Sequence, residues 1–273
     1  MLNLLKHEIL SRRWAIIGWG IALTMFGSMY IAVYPEFANE MQGLAGIAIY
    51  RAMGMDIGSF AGFIASVAVQ ILPIIFGVYI IMAGTGTLAG EEENGTLELV
   101  IAMPLPRWKI LVTKALALMI VAFLTLVITG AGCSLTLGMV KQTTEADVTL
   151  PQLFVALVGA WPLMVAILAM SMFFATVMPS RILAVTVMIA FYLVSYLLQS
   201  VAALVESLEG LKTLSIFNYF DSTTAVFEEG INFGDVAILL TIAVIFFGLA
   251  LVFFEQRNIT VGEWPWQRRH ITA

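Results

Sequence analysis

The chain has 273 residues, of which 61% are hydrophobic and only 11% are charged, and its formal net charge is −5. Soluble domains carry roughly 25% charged residues, so this composition excludes an ordinary soluble domain and indicates a membrane protein. The acidic balance is no signature of nucleic-acid binding. The single cysteine, Cys133, excludes an intramolecular disulfide and is expected to be a small packing residue.

The amino terminus predicts an interfacial helix. Residues 1–13 mix leucine and isoleucine with lysine, arginine and glutamate, which is typical of a short helix at a membrane surface. Six apolar stretches then follow, and each is long enough to cross the ~30 Å hydrocarbon core of a bilayer. They cover about 14–34, 60–89, 110–139, 153–178, 183–205 and 236–254. The predicted fold is an all-α polytopic membrane protein with six transmembrane helices, in one domain over residues 1–273.

Several residues inside these stretches carry local predictions. Pro73 and Pro162 are expected to interrupt the second and fourth spans. Lys114 lies near the start of the third span, and its long side chain is expected to snorkel to the surface. No charge is then expected deep within a span. The other polar side chains in the spans could line a pathway, but hydrogen bonding between helices is the expectation for each of them. They include Ser66, Gln70, Thr125, Thr129, Ser171, Tyr192, Tyr196, Gln199 and Ser200.

Charge clusters between the second and third predicted spans, in residues 90–114 (GEEENGTLELVIAMPLPRWKILVTK). The carboxylates of Glu91, Glu92 and Glu93 end the second span, because an ionised carboxylate at the bilayer centre costs about 2.5–3.5 kcal/mol. Gly95, together with the asparagine before it, redirects the chain. Residues 96–103 are long enough for a helix of about two turns.

This short helix is predicted to be amphipathic. Leu97, Val100 and Ile101 share one face at the i, i+3, i+4 spacing, while Glu98 points elsewhere. Pro104 disfavours helix at the residue before it, so the helix ends there.

The helix that contains the third span is predicted to begin at Pro106, which suits the first position of a helix because its missing N–H is not needed there. Arg107, Trp108 and Lys109 follow at once. Basic and aromatic side chains of this kind anchor a helix at the boundary between water and lipid. We therefore expect these three residues to be interfacial anchors.

Orientation follows from the lysine and arginine residues. Ten of the 13 lie in the amino terminus, the 90–114 stretch, the turn at Arg181 and the carboxyl-terminal tail. The connectors on the other side hold only Arg51, Lys141 and Lys212. Because cytoplasmic loops carry the excess of positive charge, both termini and residues 90–105 are predicted to be cytoplasmic.

Residues 91–114 resemble the first cytoplasmic loop of ABC exporter permeases of the second type. The resemblance rests on an acidic run, Gly-Thr-Leu-Glu-Leu, a short apolar tail, proline, an Arg-Trp pair and a downstream lysine. It implies that residues 96–103 form a coupling helix that docks on a separate ATPase subunit. The implied docking residues are Glu91, Glu92, Glu93, Gly95, Thr96, Leu97, Glu98, Val100 and Ile101. For the three consecutive glutamates, holding the end of the second span in water is an equally good explanation.

The same resemblance implies a permease subunit of an ATP-driven exporter in the inner membrane of a prokaryote. The chain has no G-x-x-x-x-G-K-[ST] phosphate loop, so ATP and Mg are expected on the partner ATPase. A second permease copy or a homologous permease is expected to complete the pathway. No catalytic residue, cofactor or metal site is expected in this chain. Two alternatives are a membrane-embedded enzyme or assembly factor without transport activity, and a secondary transporter, which normally shows intramembrane charge or inverted repeats.

The connector over 206–235 contains an aromatic cluster at residues 214–221 (LSIFNYFD). It resembles the extracellular segment before the last span of the same family, which can dip into the outer leaflet. A plain interfacial aromatic belt explains it nearly as well.

Overall fold

The computed structural model describes residues 2–44, 59–87, 106–141, 147–204, 206–221 and 223–256. Helices make up 89% of this part of the chain, and it contains no β-strand. The all-α prediction is therefore confirmed. The α-helices are α1 (Leu2–Ser11), α2 (Arg13–Leu44), α3 (Phe60–Ile64), α4 (Ile71–Gly86), α5 (Arg107–Val140), α6 (Leu150–Val158), α7 (Trp161–Val177), α8 (Arg181–Leu204), α9 (Ala225–Glu228) and α10 (Phe233–Gln256).

Within the described residues, six stretches are long and apolar enough to cross a membrane, which agrees with the predicted number. We number them span 1 (Arg13–Glu36), span 2 (Phe60–Gly86), span 3 (Arg107–Val140), span 4 (Leu150–Val177), span 5 (Arg181–Ala202) and span 6 (Phe233–Gln256). Between spans 5 and 6 the chain forms two 3₁₀ helices, Glu206–Leu214 and Ile216–Tyr219, followed by α9.

Span 4 lies at the centre of the bundle. Its helix α7 packs against α4, α5, α8 and α10, and its side chains are apolar and mostly buried on every side. A helix that is hydrophobic all round is stable only when other helices or lipid surround it. Spans 1, 5 and 6 are peripheral, and most of their side chains remain accessible in this single chain.

Span 1 packs along span 3 through small side chains. A Cβ atom added to Gly132 would lie 2.2 Å from Cγ2 of Thr24, so only glycine permits this approach. The hydroxyls of Ser28 and Thr136 are 2.8 Å apart and hydrogen-bond across the same contact. Cys133 is fully buried nearby, as expected for a packing residue. Close approach through small residues is the usual way in which helices associate in lipid.

Span 2 is interrupted upstream of its proline. The regular α-helix gives way to a π-helical turn at Ala65–Val69, closed by a 2.9 Å bond from Gln70 N to the Ala65 carbonyl. Pro73 then lies in the first turn of α4, where its missing N–H does no harm. The interruption predicted at Pro73 is thus present. Span 4 likewise breaks between α6 and α7, and Pro162 lies in the first turn of α7.

A buried tyrosine joins span 5 to this part of span 2. Tyr192 is 1% exposed, and its hydroxyl donates to the Pro73 carbonyl at 3.0 Å. The hydroxyl reaches this carbonyl only because Gly77 has no side chain. A Cβ atom at Gly77 would lie 2.2 Å from Tyr192 Oη and 2.5 Å from Cζ.

Candidate functional site

The predicted docking residues lie in residues 88–105, outside the described part of the chain. They are Glu91, Glu92, Glu93, Gly95, Thr96, Leu97, Glu98, Val100 and Ile101. The structure does describe the two helices that this segment connects, α4 before it and α5 after it. The described part of the candidate site therefore consists of the end of α4 and the start of α5.

The end of α4 lies against the start of span 5. A Cβ atom at Gly86 would be 3.1 Å from Nη2 of Arg181, so the guanidinium group covers the last turn of α4. A cation at a helix carboxyl terminus interacts favourably with the negative end of the helix dipole. The hydroxyls of Thr85 and Thr87 bond back to main-chain carbonyls of the same turn. Span 2 thus ends as a well-formed helix beside Arg181.

The start of α5 is capped by proline. Pro106 has an extended backbone (ψ 143°) and precedes the helix, which begins at Arg107, one residue later than predicted. Of the three expected interfacial anchors, Arg107 is half-buried and Trp108 is 43% exposed. The ammonium group of Lys109 lies 5.4 Å from the Trp108 ring centroid, a cation–π distance. The role of these residues at a lipid boundary stays a prediction.

Lys114, two helical turns into α5, does not snorkel to the surface as the sequence suggested. It is 2% exposed, and its Nζ donates to Oε1 of Glu8 in α1 at 2.9 Å. The other carboxylate oxygen of Glu8 accepts a hydrogen bond from Nη1 of Arg12. The expectation was wrong because a partner carboxylate, brought in by the amino-terminal helix, covers Lys114 inside the protein.

Burial of Glu8 by itself would raise the pKa of its carboxyl group, but the neighbouring charges of Lys114 and Arg12 outweigh this and hold the pKa below its ordinary value. The carboxylate is therefore ionised at neutral pH. A carboxyl group with a lowered pKa in the folded state stabilises the fold above its unfolded pKa, and this contribution is lost as the pH falls through the lowered value. The charge of Glu8 in this ion pair thus persists at neutral pH and is lost in acid.

Sequence analysis missed this pair because its members are 106 positions apart. Two local signals were present. Lys114 was the one cation placed inside an apolar run, and Glu8 and Arg12 share a face of the amino-terminal helix at the i, i+4 spacing. Neither signal identifies Glu8 as the partner of Lys114, because this pairing depends on how α1 packs on α5.

Most hydroxyls within the spans bond to their own helix. Thr125, Thr129, Ser171 and Ser200 each donate to the carbonyl four residues earlier, at 2.7–3.1 Å. The expectation of hydrogen bonds between helices is wrong for these four residues and correct for Tyr192. A hydroxyl that is satisfied within its own helix costs little in an apolar environment, so these residues do not by themselves indicate a substrate route.

The aromatic cluster at 214–221 packs onto span 5. Phe217 is 6% exposed, and its ring centroid lies 5.0 Å from Tyr192 and 5.6 Å from Tyr196. Ser215 Oγ donates to the Ser195 carbonyl at 2.7 Å, which ties the connector to the same helix. The interpretation as an aromatic belt facing lipid is thus wrong for Phe217, which belongs to the protein core.

An open cavity of about 380 Å³ lies beside this connector, and Asp221, Glu229 and Asp235 are among its lining residues. The carboxylate of Asp221 already accepts hydrogen bonds from the main-chain N–H and the hydroxyl of Thr223. In the part of the chain that the structure describes, no group of three or more His, Cys, Asp or Glu residues could hold a metal ion. These carboxylates are explained as local caps and solvated charge.

The family model described as "ABC-2 family transporter protein" matches residues 2–259, which include the whole 90–114 stretch. No curated protein matches the chain.

Proposed function

This chain belongs to the ABC-2 family of transporter proteins, and we propose that it is the membrane-spanning permease subunit of an ATP-driven exporter. Its spans form the substrate pathway, and separate ATPase subunits bind Mg and ATP. The helix over residues 96–103 docks on these subunits and transmits their closure to spans 2 and 3. The membrane is the inner membrane of a prokaryote.

The distribution of positive charge over the bundle carries this proposal. Glu8 of α1 pairs with the start of span 3, and Arg181 at the start of span 5 covers the end of span 2. These contacts bring α1, the end of span 2, the start of span 3 and the 178–181 turn to one end of the bundle, which we call the α1 end. Described lysines and arginines at the α1 end are Lys6, Arg12, Arg13, Arg107, Lys109, Lys114 and Arg181, against Lys141 and Lys212 at the other end.

This asymmetry supports a cytoplasmic α1 end, because positive residues collect on the cytoplasmic side of membrane proteins. Span 2 ends and span 3 begins at that end. A short amphipathic helix there is within reach of a soluble cytoplasmic ATPase, which could not contact the opposite end.

Orientation can be tested by thiol labelling of intact cells in a Cys133→Ser background. Single cysteines at Asn94, Ser180 and Thr260 are expected to resist an impermeant maleimide, because the proposal places them in the cytoplasm. Cysteines at Asn39, Thr144 and Thr224 are expected to react. Labelling after permeabilisation is the control that each protected cysteine is accessible in principle. Reaction of position 94 from outside would reverse the orientation and remove the docking proposal with it.

The composition of the complex tests the second part of the proposal. Six spans without an internal repeat are expected to form half of a pathway, and spans 5 and 6 leave broad apolar faces uncovered in the single chain. Affinity-purified protein should contain two permease chains and two ATPase chains. Light scattering with the detergent mass subtracted, together with mass spectrometry of the subunits, measures this composition. An active complex with one permease chain would contradict the dimer, and a complex without any ATPase would contradict the exporter.

A further inference from the structure

The Glu8–Lys114 pair is a contact between elements that are distant in the sequence, and the proposed function gives it no part in the transmission of movement. The carboxylate of Glu8 lies between Nζ of Lys114, at 2.9 Å, and the guanidinium of Arg12. Glu8 is 9% exposed and Lys114 is 2% exposed. Surface ion pairs contribute little, but separating a buried pair leaves a charge without a partner and is strongly unfavourable. The contact should therefore hold while the surrounding helices move.

Lys114 moves with the start of α5. The helix from Arg107 to Lys114 contains no glycine and no proline, and the Thr113 hydroxyl bonds back to the Lys109 carbonyl at 2.7 Å. These two turns form a rigid rod of about 10 Å. Its first residue, Arg107, is joined through Pro106 to residue 105, so a displacement of that part of the chain is passed along the rod to Lys114.

Glu8 in turn moves with α1 and span 1. Only the turn at Arg12 separates α1 from α2, and main-chain hydrogen bonds cross this turn from Arg12 N to Ile9 O at 3.1 Å and from Ile16 N to Arg12 O at 3.0 Å. The ion pair between Glu8 and Arg12 spans the same turn. A displacement of Glu8 is therefore passed to the start of span 1.

We propose that Glu8 and Lys114 are positioning residues of the coupling machinery, and that their ion pair makes α1 and the start of span 1 move together with span 3 when the ATPase pushes on residues 88–105. This inference rests on the proposed docking of residues 96–103. It assigns to the amino-terminal helix a role in transmission in addition to its predicted place at the membrane surface.

The experiment measures nucleotide-driven distance changes by pulsed electron paramagnetic resonance on the purified permease–ATPase complex. Spin labels are placed in a Cys133→Ser background at exposed positions, with excess unlabelled chain so that each dimer carries at most one labelled copy. The α1 pair joins Asn3 to Ile245 of span 6, and the span 3 pair joins Leu116 to Ile245. ATP with vanadate is expected to shift both distances in the otherwise unmodified protein.

Two variants distinguish a positioning role of the ion pair from a role in stabilising the fold. Glu8→Gln leaves Lys114 without its carboxylate and is expected to lose most of the shift of the α1 pair while keeping that of the span 3 pair. The double variant Glu8→Gln/Lys114→Met removes both buried charges, and the partly exposed Arg12 keeps its hydrogen bond to the Glu8 main-chain carbonyl, so the variant should fold nearly as well as the parent. It is nevertheless expected to lose the α1 shift, because the link itself is gone. Lys6→Gln removes an exposed charge from the same helix and is expected to change neither distance.

A full α1 shift in the double variant would overturn the inference and leave the ion pair a purely structural contact. An α1 pair that never shifts in the parent complex, while the span 3 pair does, would overturn it as well. If the ATPase is bound but the span 3 pair does not shift, the proposed coupling through residues 88–105 fails, and this inference falls with it.

Discussion

Leu97→Asp is expected to weaken binding of the permease to its ATPase by about tenfold to hundredfold and to reduce ATP hydrolysis by the complex in proportion. In the proposed amphipathic helix, Leu97, Val100 and Ile101 present one apolar face to a groove of the partner, at the spacing typical of helix-in-groove recognition. Burial of one leucine side chain contributes about 1.5–3 kcal/mol, and each 1.4 kcal/mol is a factor of ten in affinity. Membrane insertion should be unaffected, because residues 96–103 are expected to lie outside the bilayer.

The measurement is the amount of ATPase that co-purifies with the variant and with the unmodified permease at matched expression. Ala102→Asp is the matched control, because it adds the same charge to the opposite face of the same helix. It should retain nearly normal binding. If Leu97→Asp bound its ATPase as well as Ala102→Asp does, residues 96–103 would be an ordinary loop helix.

Gly77→Ala is expected to lower the stability of the bundle by about 1–3 kcal/mol, the usual cost of adding a methyl group to a well-packed core. The new Cβ atom would lie 2.2 Å from Tyr192 Oη. Because the tyrosine ring is fully buried, it can avoid the methyl group only by moving span 5 away from span 2. The hydrogen bond from Tyr192 to the Pro73 carbonyl, now 3.0 Å, would be lost in the same movement.

Stability can be followed as the fraction of detergent-solubilised protein that stays monodisperse after heating to a series of temperatures. Gly248→Ala is the matched control, since this glycine lies in span 6 with no atom within 4 Å of an added Cβ. It should melt like the parent. In a Tyr192→Leu background the clash is removed, so Gly77→Ala should cause little additional loss. An equal loss in both backgrounds would mean that Tyr192 is not the group that excludes a side chain at position 77.

The six spans and the all-α class could be predicted from sequence because both depend on local properties. A run of about twenty apolar residues is long enough to cross a bilayer wherever it lies in the chain, and its main-chain groups are satisfied within the helix itself. The breaks near Pro73 and Pro162 were predictable for the same reason, because proline acts on its own helix. The position of the π turn, which ends four residues before Pro73, was not predictable, since several local backbone conformations relieve the same clash.

The contacts that place the candidate site were decided by tertiary structure alone. Lys114 has the same sequence surroundings whether it snorkels to lipid headgroups or pairs with a carboxylate, and the choice was made by the packing of α1 on α5. Phe217 likewise belongs to a sequence typical of an interfacial belt, yet the fold buries it against Tyr192 and Tyr196. Charged and aromatic side chains are compatible with several environments, including lipid headgroups and a paired or packed position in the protein core. Hydrophobic length and proline therefore determined the spans from the sequence, whereas the partners of Lys114, Tyr192 and Phe217 follow only from the way in which the helices pack.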